Sequence, residues 1–272
     1  MNQMAPPWAF VLDLDGTVVG DVASYACEHA LLTAHGGRLE GFKRALVDAM
    51  DDGLVRPGFG RLLDALARVD ARLFVYTASE GTWARLLVGC IARRYGVKFE
   101  HVFCRASCTK DRDTFELRKS VARIYPRMRK VLAREGTALG ETASAHVVVI
   151  DDSPDVFPAA EAGMVVRAPP YADRPTPHDV TRFLAPATVR RRFADIADTL
   201  AAFGVVAERP ATTSYAEFLR TYHTSLAGEA YAVERHGRAE DRWMADLARI
   251  VRSSTDARPS SVVVRAAALR RA

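Results

Sequence analysis

Ala9-Phe10-Val11-Leu12-Asp13-Leu14-Asp15-Gly16-Thr17 sets the architecture of the chain around it. An apolar run without helical periodicity stops abruptly at an acidic residue, the pattern of a buried strand reaching the edge of a sheet. A second aspartate follows two positions on, and Gly16 permits a sharp backbone turn straight after it. Two later stretches have the same form. Arg72-Leu73-Phe74-Val75-Tyr76 runs into Thr77-Ala78-Ser79, and His146-Val147-Val148-Val149-Ile150 runs into Asp151-Asp152-Ser153-Pro154. Between them, Phe59 to Val69 places Leu62, Leu63, Leu66 and Val69 on one helical face. Trp83 to Arg94 does the same with Leu86, Leu87, Cys90 and Ile91. Pro57-Gly58 supplies a start signal for the first of these helices. Strands alternating with helices predict an α/β fold, a Rossmann-like parallel sheet flanked by helices.

Working outward, residues 21–55 interrupt the passage from the first strand to its return helix. Ala23 to Ala34 and Leu39 to Met50 read as helical on either side of His35-Gly36-Gly37, which predicts a small helical cap insertion. A second insertion, about 126–145, is rich in arginine and lysine and closes on a surface excursion from Gly136 to Ser144. Residues 1–205 are expected to form the main domain, and 206–272 a helical, Arg-rich C-terminal extension. Helices are expected there at Tyr215 to Leu226 and Arg238 to Val251. Ser253 to Ala272 are expected to be mobile, with Val262-Val263-Val264 as a segment able to dock.

The 272 residues are 49% hydrophobic and 26% charged, an ordinary globular composition. No run approaches the roughly 18 apolar residues of a membrane helix. A cleaved leader would carry away the first strand and its aspartates, so an intracellular location is expected, nuclear or cytoplasmic. The net charge of +5 rests almost wholly on arginine, since five of the 38 basic residues are lysine. That balance favours an acidic or phosphorylated partner, and leaves nucleic acid open through the Arg-rich C-terminal region. Cys27, Cys90, Cys104 and Cys108 show no paired C-x-x-C spacing and read as reduced, partly buried thiols.

All three strands end in groups suited to phosphoryl transfer. In a parallel α/β sheet, ligands bind outside the carboxyl ends of the strands. Asp13, Asp15, Asp151, Asp152 and the Thr77 hydroxyl should therefore converge at one sheet edge. Such a concentration of carboxylates is costly unless a cation neutralises it, and oxygen ligands of this kind suit Mg²⁺.

These residues resemble the motifs of the haloacid dehalogenase superfamily: Asp13-Leu14-Asp15-Gly16-Thr17 its first, Thr77 its second, Asp151-Asp152 its fourth. Within it the chain is similar to the NLI-interacting-factor-like phosphatases, which act on the C-terminal domain of RNA polymerase II and on other phosphoproteins. The likeness spans roughly residues 8 to 170. It is carried by Arg56-Pro57-Gly58, Tyr76-Thr77-Ala78-Ser79 with Trp83-Ala84, Phe103-Cys104-Arg105-Ala106-Ser107-Cys108, and Asp151-Asp152-Ser153-Pro154. The resemblance implies a haloacid dehalogenase fold and an aspartyl-phosphate mechanism. Asp13 would be the nucleophile, Asp15 the acid and base, and Thr77 a donor to a phosphoryl oxygen. Mg²⁺ would be held by Asp13, Asp152 and the backbone carbonyl of Asp15, with Asp151 beside them. Ala78 and Ser79 would line the phosphate site with Thr77. A lysine is also implied, and Lys119, in Lys119-Ser120-Val121-Ala122-Arg123-Ile124, is the first choice. Lys110, in Lys110-Asp111, stays open as the alternative.

Three features depart from those phosphatases. Gly16 stands where they have Glu, the 21–55 insertion is helical where they carry a β-hairpin, and the stretch from Lys119 to Asp151 is longer. The leading expectation is a phosphoserine/phosphothreonine protein phosphatase, because a small cap leaves a cleft open to a phosphoprotein loop. The alternatives are a small-molecule or nucleic-acid-end phosphatase of the same superfamily, or a non-catalytic phosphoprotein- or nucleic-acid-binding scaffold.

Overall fold

The computed structural model describes residues 8–20, 38–111, 116–171, 241–254 and 259–270, with single positions at 22, 25, 26, 29, 33 and 114. Its centre is a parallel sheet of β1 (Ala9–Leu12), β2 (Arg72–Tyr76), β3 (His101–Phe103), β6 (Val147–Asp151) and β7 (Val165–Arg167), in the order β3-β2-β1-β6-β7. A short antiparallel pair, β4 (Thr109–Lys110) and β5 (Leu117–Arg118), stands apart from it. β1 is the middle strand because all four of its residues are apolar and buried on both faces. Ala9, Val11, Phe74, Tyr76, Val147 and Val149 point to one face and share a core with Val121, Ile124, Tyr125, Met128 and Leu132. That is the period-two alternation of a strand meeting the apolar stripe of a helix. This is the Rossmann-like haloacid dehalogenase fold expected from the sequence.

The helices follow from local chemistry. The Phe59–Arg68 helix buries Phe59, Leu62, Leu63, Ala65 and Leu66. The Gly81–Tyr95 helix begins two residues earlier than its apolar pattern shows. Glu80 caps it, accepting hydrogen bonds from Thr82 N at 2.8 Å and Trp83 N at 3.2 Å, and Gly96 ends it at φ 64°. The Val121–Ala133 helix takes up the first part of the insertion expected from residue 126, and the arginine-rich stretch Arg123 to Arg134 is largely the solvated helix face its sequence suggests. It runs straight through Pro126, its arginines face solvent, and only the turn that follows is an excursion. Tyr125 Oη pins that turn by donating to Gly140 O at 2.8 Å.

The contacts divide the chain into two compact units, one of 1–19, 55–171 and 241–272, the other of 20–54 and 172–240. The cap expected over 21–55 lies in the second unit, where the Leu39–Ala49 helix is followed by a tight π turn at Met50–Leu54. The helix expected at Tyr215 to Leu226 lies outside the described residues. The far C-terminus does not follow the expected division at 205. Trp243–Arg252 and Pro259–Ala267 are helices of the sheet unit, the first packed on Phe59–Arg68, the second on β6 and β7. Val262 is fully buried there, while Val264 is 72% exposed, so of Val262-Val263-Val264 it is Val262 that docks as expected.

Candidate active site

Strand register assembles the site. Leu12 pairs with Val75 on one side and Ile150 on the other, so β1, β2 and β6 run out together. The chain moves outward from β1 to β2 and β3, then crosses back to β6. The crevice between β1 and β6 is therefore the topological switch point, where α/β sheets place their ligands.

Asp13 is the first residue past β1, its N–H donating to Ile150 O at 2.9 Å. After it the backbone folds back tightly, with Thr17, Val18 and Val19 N–H groups all donating to Leu14 O. Gly16 has φ 76°, and a Cβ there would stand 2.8 Å from Asp152 Oδ2. Both the left-handed backbone and the close approach require glycine. Gly16, one of the departures from the resemblance, thus packs directly beside Asp152.

Lys119 follows β5 and is 5% exposed. Its Nζ donates to Asp13 Oδ1 at 2.5 Å and to Asp151 Oδ2 at 2.8 Å. Lys110, the alternative, lies on exposed β4. Asp13, Asp151 and Asp152 each offer a carboxylate oxygen within 4.8 Å of the others. Two deeply buried carboxylates share one ammonium, so ionising both would keep a net negative charge out of water. Burial accordingly pushes the Asp13 carboxyl up to about 8, opposed by Lys119 and reinforced by Asp151. Burial raises Asp151 too, again against Lys119. On Lys119 burial acts downward, but the charges of Asp13 and Asp151 outweigh it and hold the ammonium above its ordinary value. A hard divalent cation among these oxygens would remove the imbalance, and the donor set fits one.

Asp15 is turned away from that cluster. Its Oδ2 accepts from Ser79 Oγ at 2.7 Å and Thr77 Oγ1 at 3.2 Å, while its Oδ1 is buried without a hydrogen-bond partner. Thr77 is fully buried; its N–H donates to Phe103 O, and its hydroxyl accepts from Ser79 N at 3.0 Å. The Ala78 carbonyl accepts from Arg105 Nε at 2.9 Å, which ties this turn to the segment after β3. Cys90, Cys104 and Cys108 are free thiols, and burial raises the Cys108 thiol, which keeps it protonated.

Supporting residues with no marked role in the sequence emerge around these. Thr17 Oγ1 donates to Asp152 Oδ1 at 3.0 Å and accepts from Asp152 N at 2.9 Å, fixing that residue from two sides. Its place in Asp13-Leu14-Asp15-Gly16-Thr17 was the available signal. Glu161, from the turn before β7, caps the helix that starts beside Lys119. Its carboxylate accepts from Val121 N at 2.7 Å, Ser120 Oγ at 2.8 Å and Ala122 N at 3.0 Å. Nothing in the sequence around Glu161 marks it, because its partners lie forty residues earlier.

A parallel sheet with the acidic ends of its strands gathered at the switch point defines a haloacid dehalogenase-type phosphatase. Residues 9–190 match the NLI interacting factor-like phosphatases, well over half of the chain, and the chain belongs to that family. No curated protein matches it. Among solved structures it is similar to the fission yeast RNA polymerase II CTD phosphatase Fcp1 bound to beryllium fluoride. That match has 15% identity and a TM-score of 0.44 and covers 94% of this chain and 70% of that one. A second structure, of Fcp1 described as an essential RNA polymerase II CTD phosphatase, gives 15%, 0.43, 94% and 69%. CbbY from Rhodobacter sphaeroides in complex with phosphate gives 17% identity and 0.34, covering 59% of this chain and 86% of that one.

Among the described residues no helix is long and apolar enough to cross a membrane. Of the C-terminal arginines, Arg265 donates to Ser254 Oγ at 3.0 Å and Arg249 pairs with Asp246. Both thus find partners within their own segment.

Proposed function

We propose that the chain is a Mg²⁺-dependent phosphomonoester hydrolase working through an aspartyl phosphate, with phosphoserine or phosphothreonine in a protein as its substrate. The observation that carries this reading is the bridge of Lys119 between Asp13 and Asp151, with Asp152 in the same cluster. Asp13, Asp151 and Asp152, with the Asp15 backbone carbonyl, would hold Mg²⁺, which would supply charge neutralisation for the incoming phosphate.

The residues then divide the work. The free Asp13 oxygen attacks phosphorus, and Lys119, already against the other oxygen, favours the ionised nucleophile against the effect of burial and offsets charge on the phosphoryl oxygens. As the ester bond breaks, Asp15 gives its proton to the departing serine or threonine oxygen. It then takes a proton from the water that attacks phosphorus and releases phosphate, restoring Asp13. Thr77 and Ser79 orient Asp15 through its Oδ2, leaving Oδ1 for this exchange, and Thr77, Ala78 and Ser79 line the phosphate site. Protein substrates, and with them a nuclear or cytoplasmic location, are favoured by membership of the family.

The test is phosphate release from p-nitrophenyl phosphate and a panel of phosphopeptides, nucleotides and sugar phosphates, for wild type and Asp13→Asn, with Mg²⁺ or EDTA. Turnover that needs Mg²⁺, disappears in Asp13→Asn and is fastest on phosphopeptides is expected. Preference for nucleotides or sugar phosphates would overturn the substrate class. A folded wild type without turnover on any of them would overturn the mechanism.

A further inference from the structure

Arg56 is 2% exposed, a buried cation for which the phosphatase chemistry above has no use. Its Nε donates to Asp241 Oδ2 at 2.8 Å and its Nη1 to Pro169 O at 2.7 Å. Nη1 also lies 3.5 Å from Thr17 O, and Arg56 N donates to Val18 O at 2.9 Å. The rings of Trp243 and Tyr171 flank the guanidinium at 5.0 and 5.5 Å. Tyr171 in turn donates its N–H to Gly16 O at 2.7 Å, and Trp243 N donates to Asp241 Oδ1 at 3.0 Å. Two residues on, Gly58 has φ 83°, and a Cβ there would meet Ala245 N at 2.9 Å. Arg56-Pro57-Gly58 is thus the seat of the helix that starts at Trp243. Asp241 lies beyond the residues 9–190 that match the family.

These contacts all bear on one turn. Residues 16–18 are held from outside by Tyr171 N and by the backbone and side chain of Arg56. The same turn carries Thr17, whose hydroxyl grips Asp152 through both its N–H and its Oδ1. We propose that Asp241 and Arg56 are positioning residues of the metal site, holding the 16–18 turn so that Thr17 aims the Asp152 carboxylate. The phosphatase site is then completed by a C-terminal segment outside its family core. This rests on Asp152 being a Mg²⁺ ligand, as proposed above.

The competing role for the pair is to fasten the C-terminal helix, and the two differ in what an apolar replacement does. A buried ion pair exchanged for apolar side chains of similar volume commonly keeps or gains stability. Arg56→Met/Asp241→Leu therefore retains the docking but loses the guanidinium's 3.5 Å contact with Thr17 O in the turn and its hydrogen bond to Pro169 O beside it. Mg²⁺ binding is measured by titration calorimetry in the full-length chain, beside thermal melts in EDTA. The double variant is expected to melt close to wild type while its Mg²⁺ dissociation constant rises about tenfold or more, the usual effect of losing an outer-shell partner. Thr17→Val is expected to weaken Mg²⁺ binding to a similar degree. A folded double variant that binds Mg²⁺ as tightly as wild type would overturn the proposal and leave the metal site intact. Asp241→Asn, which keeps shape and one acceptor, decides the matter in the same way if the double variant does not fold. A wild type that binds no Mg²⁺ would instead overturn the metal site, and this proposal with it.

Discussion

Asp13 and Asp151 face one ammonium between them, and that shortage of positive charge governs the residues of the site. Removing Lys119 makes it acute. In Lys119→Met the two carboxylates are left buried without a counter-charge, which costs on the order of 3–5 kcal/mol when a buried pair loses one partner. Thermal or urea unfolding in EDTA should show that loss, and Mg²⁺ should recover part of it. Turnover with Mg²⁺ should still fall about a hundredfold or more, because the phosphoryl oxygens lose their fixed cation. Gly16 is constrained differently, by space. Gly16→Ala adds about 1–2 kcal/mol of left-handed backbone strain and drives its Cβ towards Asp152 Oδ2. A lower melting temperature and a higher Mg²⁺ concentration for half-maximal activity are expected together. Unchanged Mg²⁺ dependence would show that Asp152 yields without consequence.

Among the elements, the Val121–Ala133 helix matters most for the site, because Lys119 lies two residues before it. Glu161 gathers Val121 N, Ala122 N and Ser120 Oγ on one carboxylate, and a negative charge at a helix N-terminus is favourable. Glu161→Ala leaves these donors without their acceptor, at a cost of about 2 kcal/mol. It should also lower turnover beyond what the lost stability explains, as Lys119 loses its fixed backbone. Pro126 is the opposite case. It sits on the exposed side of the same helix, where it supplies no N–H to the carbonyl of Ala122. Pro126→Ala should restore that bond and stabilise the protein by about 1–3 kcal/mol, read as a higher urea midpoint with unchanged turnover.

Across the whole molecule, stability should depend on pH through His146, buried where the chain enters β6. Its backbone O accepts from Ala9 N at 2.8 Å, and burial lowers its side-chain pKa below the ordinary value. The unfolded chain therefore takes up this proton first as pH falls below about 6.5. The folded state then binds fewer protons than the unfolded one, so stability drops with decreasing pH, by at most about 1.4 kcal/mol per pH unit for one group. His146→Gln should remove this contribution, so that the melting temperature falls less, or rises more, between pH 7 and 5.5 than in wild type, the raised Asp13 carboxyl acting in the opposite sense in both. An unchanged slope would assign the dependence to other groups.

The sequence alone was enough for the parallel sheet, its three central strands and the residues at their ends. Apolar runs that stop at Asp13, Thr77 and Asp151 are local patterns, and a parallel sheet has one edge at which they can meet. Lys119 was legible as one of two lysines, since local sequence does not say which side chain turns inward. The tertiary structure separates them, with Lys119 buried against Asp13 and Asp151 and Lys110 on an exposed strand. It also brought Glu161, Thr17 and Arg56 to partners that lie 40, 135 and 185 residues away along the chain. Helix and strand periods reflect neighbours a few residues apart. A hydrogen bond across such separations leaves no period to read, and it exists only once the chain has closed on itself.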